Sequence, residues 1–102
     1  MNGIQQWTRE QWEVSLEASA VSIFYLYTPM CGTCAVASKM VEVIAAMKPG
    51  LPIGKADLNY LQDLAVEYAI ESVPCLLIQK DGELVEKIYA FHSVPHLLER
   101  IG

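Results

Sequence analysis

The sequence predicts an α/β fold in which a central mixed β-sheet of four to five strands has helices on both faces. The run 21–27 is almost unbroken in apolar, β-branched and aromatic residues, as expected for a strand buried on both faces. Segments of strand-like and helix-like character then alternate along the first two thirds of the chain. In the last third, two apolar segments flank Asp81-Gly82, a strong hairpin signal that would make the end of the sheet antiparallel.

Length and composition limit the alternatives. A chain of 102 residues with 53% hydrophobic residues has room for one domain, 1–102, with its own core. A net charge of -5 with only seven Lys and Arg argues against a nucleic acid or an anionic membrane as partner. No apolar stretch reaches about 18 residues and no signal-peptide pattern begins the chain, so we expect a soluble, unexported protein. Three cysteines, an odd number, favour a reducing compartment and hence the cytoplasm.

The first elements are a short edge strand and a capped helix. Residues 3–7 are predicted to form the strand, on weak local evidence. Thr8 and Gln11 then match a capping box, in which each side chain bonds a backbone N–H at the helix start. The helix is expected at 9–18. Its two large apolar residues, four positions apart, should face the core: Trp12 and Leu16.

The strand 21–27 leads into a second helix, expected to begin at the cysteines and to stop at Lys48-Pro49-Gly50, because proline lacks the donor that a helix needs. Apolar residues at helical spacing predict its buried face: Val36, Met40, Val43, Ile44 and Met47. Residues 51–58 form a predicted second parallel strand, which completes a right-handed crossover.

The remaining elements follow from the same signals. A third helix is predicted from apolar spacing and should end near Ile70; its core residues would be Leu61, Leu64, Ala65 and Tyr68. The hairpin strands are predicted at 75–79 and 83–89. Ser93 is a suitable cap for a last helix, with Leu97, Leu98 and Ile101 on one side. The predicted order is β, α, β, α, β, α, β, β, α.

Cys31 and Cys34 are the residues to which the sequence assigns chemistry. Two cysteines three apart in the first turn of a helix would share a face, as a reversible disulfide requires. Unpaired backbone N–H groups and the helix dipole at that end favour the thiolate, which is the attacking form. We therefore expect Cys31 to be the nucleophile and Cys34 to resolve the mixed disulfide. Half of a zinc site and inert packing are the alternative interpretations of such a pair.

With these elements in place, the chain resembles the thioredoxins over nearly its whole length. The resemblance rests on the element order and on four groups of residues: Cys31-Gly32-Thr33-Cys34, Lys55, Ser72-Val73-Pro74 and Asp81-Gly82-Glu83. It implies a thioredoxin fold and a thiol–disulfide oxidoreductase that serves cell redox homeostasis and needs no cofactor beyond its own dithiol. It further implies disulfide-containing protein substrates, recycling by a thioredoxin reductase-like protein or a small-thiol electron donor, and a monomer.

The resemblance also suggests a substrate surface around the cysteines. Val73 and Pro74 would form a cis peptide beside the pair, leaving a free backbone edge for an extended substrate. Gly32 and Thr33 lie between the cysteines, and Met30, adjacent to the nucleophile, would form part of an apolar rim. We therefore expect substrate contacts at these five residues.

The sequence departs from the family pattern at three positions near the pair. Met30 stands where thioredoxins typically have tryptophan, and Thr33 where they have proline. Tyr25 occupies the place of the buried aspartate that precedes the first cysteine by six residues, so an ion pair with Lys55 is not expected. A tyrosine has a reference pKa near 10, which leaves the proton transfer that accompanies resolution without its usual carboxylate.

Cys75 directly follows Pro74, where thioredoxins usually carry threonine. Three interpretations compete: a packed core cysteine, a third redox thiol, and a third metal ligand. The last supports an alternative function, a non-catalytic thiol module that binds zinc or an iron–sulfur cluster. A redox-sensing adaptor, which oxidises reversibly without turnover, is a further alternative. His92 and His96 are predicted to be surface residues of the last helix region.

Overall fold

The computed structural model describes residues 4–102. Strands and helices alternate as predicted, with one additional turn of 3-10 helix at Leu58–Tyr60. The strands are β1 (Gln5–Gln6), β2 (Val21–Tyr27), β3 (Ile53–Asp57), β4 (Cys75–Lys80) and β5 (Glu83–Ile88). The helices are α1 (Arg9–Ala18), α2 (Cys34–Met47), α3 (Gln62–Glu67) and α4 (Val94–Ile101). The predicted strand 3–7 is reduced to β1, and Gly3 lies outside the described residues.

The strands form one five-stranded mixed sheet in the order β1-β3-β2-β4-β5, which confirms the predicted architecture. β1, β3 and β2 run parallel, whereas β4 is antiparallel to both β2 and β5. The β4–β5 hairpin turns at Asp81 and Gly82, whose φ angles of 56° and 88° match the tight turns that hairpins favour. No helix within 4–102 has the length and apolar character needed to cross a lipid bilayer.

The central strand β2 separates two hydrophobic clusters because successive side chains of a strand point to opposite faces. On one face, Tyr25 of β2 and Leu76 of β4 belong to the cluster that contains the buried residues of α2 and α4. On the other face, Leu26 and Cys75 pack with Trp12 of α1 and with the buried residue of α3. The helices therefore cover both faces of the sheet, as predicted.

The predicted buried face of α2 is wrong in part. Three of its five residues are substantially exposed: Val36 at 60%, Val43 at 45% and Met47 at 58%. Ile44 is buried as predicted, and the other buried residues of the helix are Cys34, Ala37, Val41 and Ala45. Apolar residues lie on nearly every side of this helix, so the spacing of the largest ones did not identify the inner face. Two alanines on the buried side leave room for the helix backbone to lie close to the sheet.

Two other boundaries differ from the predictions. The second parallel strand is shorter than 51–58, because the 3-10 turn already begins at Leu58. α3 ends at Glu67, since Ala69 adopts a φ of 52° and the next amide, at Ile70, turns back to the carbonyl of Ala65. This left-handed residue closes the helix in a Schellman arrangement.

A buried polar cluster joins α1 to the end of the sheet. The side-chain amide of Gln79, fully buried, donates to the hydroxyl of Ser22 (2.8 Å) and to the carbonyls of Ser15 (3.3 Å) and Ser19 (3.1 Å). Its carbonyl oxygen accepts from the N–H of Gly82 in the hairpin turn (2.9 Å). Each polar atom of this amide is therefore satisfied, as burial requires.

Candidate active site

Cys31 and Cys34 form a disulfide, with their Cα atoms 5.3 Å apart. The prediction that both lie in the first turn of a helix is wrong: α2 begins at Cys34, and Cys31 precedes it in a turn that follows β2. The amide of Cys31 donates to the carbonyl of Thr28 (3.2 Å), and the amide of Cys34 donates to the carbonyl of Cys31 (3.3 Å). Consecutive turns, rather than helix, bring the two sulfurs together.

The two cysteines differ in exposure. Cys34 is 4% exposed, whereas Cys31 is half-buried, so an approaching molecule meets the sulfur of Cys31 first. The hydroxyl oxygen of Thr33 lies 3.5 Å from that sulfur. A disulfide sulfur has no proton to give, so the hydroxyl is the donor, and the same contact would stabilise a thiolate on Cys31 after reduction.

The segment that precedes β4 lies beside the cysteine turn. The peptide bond between Val73 and Pro74 is cis, the isomer that the resemblance implied. Val73 and Thr28 line a shallow cleft of about 270 Å³ on the α3 side of the segment. Pro74 and Thr33 line a second cleft, of about 400 Å³, on the α2 side. A groove thus lies on each side of the cysteine pair.

The cleft on the α2 side is mostly apolar. Its walls come from α2 and from the segment between β5 and α4: Val36, Ala37, Met40, Tyr89, Ala90, Phe91 and His92 line it together with Thr33 and Pro74. The sequence did not identify these wall residues as site residues, because they meet only when α2 and the β5–α4 segment pack on the same sheet face. The sequence gives no separate signal for this wall, and Val36, which is 60% exposed, had been assigned to the buried face of the helix.

Met30 and Gly32 lie on the open side of the pair. Met30 is 93% exposed, and this apolar side chain is adjacent to Cys31. A Cβ built at Gly32 would meet no atom of residues 4–102 within 4 Å, so the space over the turn is open to another chain. All five predicted substrate-contact residues therefore lie around the disulfide or line a cleft beside it.

Tyr25 lies behind the pair, at the centre of β2, and is fully buried. Its hydroxyl donates to the carbonyl of Cys34 (2.9 Å) and accepts from the hydroxyl of Ser38 (3.0 Å). Its ring stacks on Tyr27 (5.7 Å between centroids) and meets the edge of Phe91 (6.0 Å). Burial raises the pKa of Tyr25 above its usual value, although the Ser38 hydrogen bond opposes this, so the hydroxyl remains protonated at neutral pH.

Cys75 is free and fully buried, and it faces away from the cysteine pair. It belongs to the cluster under α1 and α3, whereas α2, which begins at Cys34, packs on the opposite sheet face. Burial raises the pKa of its thiol to about 12, with Lys87 opposing the shift. Within residues 4–102, no three His, Cys, Asp or Glu side chains are grouped so that they could hold a metal ion. The geometry thus corresponds to the packed core cysteine among the three interpretations.

The two histidines lie at the margin of the site. His92 is exposed and lines the cleft on the α2 side. Its ring lies edge to face with that of His96, with 4.8 Å between the ring centroids. The amide of His96 donates to the hydroxyl of Ser93, which caps α4 as predicted.

Comparison with known sequences agrees with this geometry. The family model described as Thioredoxin matches residues 3–101. A thioredoxin-like protein of Bacillus subtilis, YusE, is 51% identical over 81 residues, which are 79% of this chain and 76% of that protein. Thioredoxin of the same organism is 34% identical over 77 residues, 74% of each chain.

Solved structures show the same fold. A mutant thioredoxin from Halobacterium salinarum superposes with a TM-score of 0.83 at 26% identity, covering 96% of this chain and 85% of that one. Mitochondrial thioredoxin 3 of Saccharomyces cerevisiae, in its oxidized form, superposes with a TM-score of 0.85 at 21% identity. The superposition covers 96% of this chain and 92% of that one. The chain therefore belongs to the thioredoxin family, whose fold and paired cysteines support thiol–disulfide oxidoreductase chemistry in general.

Proposed function

We propose that this chain is a thioredoxin-like protein-disulfide oxidoreductase that exchanges a dithiol for a disulfide, reversibly, with protein or small-molecule disulfides, and that contributes to redox homeostasis of the cytoplasm. One observation carries the proposal. Cys31 and Cys34 are joined at the start of α2, with Cys31 half-buried and Cys34 only 4% exposed. This difference in exposure supports a different role for each residue in the two steps of an exchange reaction.

In the reducing direction, the thiolate of Cys31 attacks one sulfur of the substrate disulfide. A mixed disulfide forms, and the other substrate sulfur leaves as a thiolate that takes up a proton. Cys34 then loses its proton and attacks the sulfur of Cys31, which releases the second substrate sulfur. Two electrons pass to the substrate, and the Cys31–Cys34 disulfide is the oxidised product. The burial of Cys34 keeps a bulky substrate from that sulfur, but it leaves Cys31 within reach.

Substrate would lie across the open side of the pair. Met30, 93% exposed, offers apolar area beside Cys31, and Gly32 leaves the space above the turn clear. Val73 and Pro74 each line one of the two clefts, so an extended segment crossing between them would pass next to Cys31. Thr33 would donate its hydroxyl toward the attacking sulfur. These contacts favour a polypeptide disulfide over a small one, because an extended segment could contact both clefts while one of its sulfurs lies at Cys31.

After each turnover the Cys31–Cys34 disulfide must be reduced again. A thioredoxin reductase-like protein or a small thiol would return the disulfide to the dithiol, and the chain would act as a monomer with no cofactor other than its two cysteines. A metal-binding module would need a third ligand near the pair. Cys75, the available sulfur, instead faces the opposite side of the sheet.

The test is a redox titration of the cysteine pair. The protein is equilibrated in glutathione buffers of graded potential and alkylated, and the number of free thiols is read by mass spectrometry. Insulin reduction is measured in parallel. The wild type and Cys75→Ala should show the same two-electron transition and the same activity. Cys31→Ser should fold and lose activity, whereas Cys34→Ser should accumulate a mixed disulfide on Cys31.

Three outcomes would contradict the proposal. Full activity in Cys31→Ser would remove the assigned nucleophile. Reversible oxidation with negligible turnover would indicate a redox-sensing adaptor. Alkylation that is blocked until a chelator is added would indicate a metal-binding module.

A further inference from the structure

A chain of two hydroxyl groups connects the centre of the sheet to the backbone of the second cysteine. The hydroxyl of Ser38 donates to that of Tyr25 (3.0 Å), and the hydroxyl of Tyr25 donates to the carbonyl oxygen of Cys34 (2.9 Å). Ser38 lies one turn after Cys34 on α2, whereas Tyr25 belongs to β2. The two bonds therefore fasten the first turn of the helix to the sheet.

These two bonds matter because, among residues 4–102, the start of α2 lacks the usual capping contacts. Thr33, at the N-cap position, makes no capping hydrogen bond, and the first turn contains no acidic residue to complement the helix dipole. A missing cap weakens the end of a helix, which is where Cys34 lies. The hydrogen bond from Tyr25 is made to the carbonyl of Cys34 and so holds the backbone at this weakened end.

Tyr25 is enclosed on all sides by its neighbours. It is fully buried, and its ring is fixed between Tyr27 and Phe91. Because burial raises its pKa, the hydroxyl keeps the proton that it donates to Cys34. The contact is thus an uncharged one that persists through the neutral range of pH.

We propose that Tyr25, supported by Ser38, is a positioning residue for the resolving step: through the carbonyl of Cys34 it holds that cysteine where its sulfur reaches the mixed disulfide on Cys31. The proposal rests on the function proposed above. It concerns the second step only, since the two hydrogen bonds of the hydroxyl pair lead to Cys34 and not to Cys31. Loss of the Tyr25 hydroxyl should slow resolution and leave the first attack unchanged.

The two steps are separated by the aromatic disulfide dithiobis(nitrobenzoate), mixed in stopped flow with the reduced Cys75→Ala protein. Attack by Cys31 releases one thionitrobenzoate at a rate proportional to reagent concentration. Resolution by Cys34 releases a second at a rate independent of that concentration, and leaves the Cys31–Cys34 disulfide. In Tyr25→Phe we expect the second rate to fall about threefold to tenfold, as for loss of one hydrogen bond, with the first rate unchanged.

Three further variants make the result specific. Ser38→Ala should slow the second rate by a smaller factor, and Ser38→Thr, which keeps a hydroxyl, should restore it. Tyr27→Phe is the matched control: it removes a tyrosine hydroxyl from the same strand, but that hydroxyl contacts Gln6 and not Cys34. Its second rate should equal that of the parent protein.

The outcomes separate this inference from the function on which it rests. No thionitrobenzoate release by the parent protein would refute the proposed function. Two normal releases by the parent, with an unchanged second rate in Tyr25→Phe, would refute the positioning role alone. An equal slowing of both rates would also refute it, because a general loss of packing would have that effect. If Tyr25→Phe does not fold, the two release rates of Ser38→Ala are compared with those of the parent protein in the same way.

Discussion

The thiol of Cys75 should resist alkylation in the folded, reduced protein far more strongly than a free cysteine. The variant Cys31→Ser/Cys34→Ser leaves it as the only thiol. Its side chain is fully buried under α1 and α3, and burial raises its pKa to about 12. Because the thiolate is the species that reacts, both effects act in the same direction.

The magnitude follows from the pKa. At about pH 8, a free thiol with a pKa of about 8.5 is roughly one quarter thiolate. With a pKa of about 12, about one molecule in ten thousand is thiolate. Ionisation alone therefore slows the reaction by more than about a thousandfold, and lack of access to a fully buried sulfur slows it further.

The assay is the rate of mass gain with iodoacetamide. Alkylation of Cys75 in guanidinium chloride gives the rate for the unfolded chain, and Cys34→Ser/Cys75→Ala, which retains only Cys31, gives the rate for a half-buried thiol. Native alkylation of Cys75 within about tenfold of the unfolded rate would refute the reasoning. It would also revive the interpretation of Cys75 as a third redox thiol.

Three predictions concern stability, measured by urea unfolding of the disulfide form. Gln79→Ala removes a buried amide that makes four hydrogen bonds, so the free energy of unfolding should fall by about 3 kcal/mol; a loss below about 1 kcal/mol would contradict this. Ala69→Gly should raise it by about 1 kcal/mol, because φ is 52° there and glycine adopts that conformation without strain; a lower stability would be the opposite result. The raised pKa of Cys75 means that the unfolded chain loses this proton first, so the contribution of the buried thiol to stability is complete below about pH 8.5 and is lost as the pH rises toward 12. At about pH 10 the wild type should therefore have lost about 2 kcal/mol more than Cys75→Ala, relative to neutral pH, because that pH lies about 1.5 units above the pKa of a free thiol; an equal loss in the two proteins would contradict the buried thiol.

Local signals in the sequence were sufficient for most of the fold. The capping box of Thr8 and Gln11 gave α1 its observed bounds, because both of its hydrogen bonds are made within the first turn. The buried strand 21–27 and the Asp81-Gly82 hairpin were likewise confirmed. These features depend on backbone preferences and side-chain spacing over a few residues, which do not need the rest of the molecule.

The inner face of α2 was decided only by packing. The largest apolar side chains suggested a face through Val36 and Val43, but the helix packs on the sheet through Ala37, Val41, Ile44 and Ala45. Where a helix is apolar on most sides, its spacing does not tell which side is buried, and the shape of the surface opposite determines the answer. The exposed Val36 consequently became part of a cleft wall.

The candidate site shows the same division. Sequence alone identified Cys31 and Cys34 as the residues for thiol chemistry, because a pair at this spacing after a buried strand has a short list of uses. It did not establish that Cys31 precedes the helix, that Cys75 faces the other side of the sheet, or that Tyr25 bonds the backbone of Cys34. The first is a helix boundary, which local patterns place only to within a few residues. The other two depend on which strands are neighbours and on which face each side chain points to. Strand order and facing are properties of the assembled sheet, so only the tertiary structure decided them.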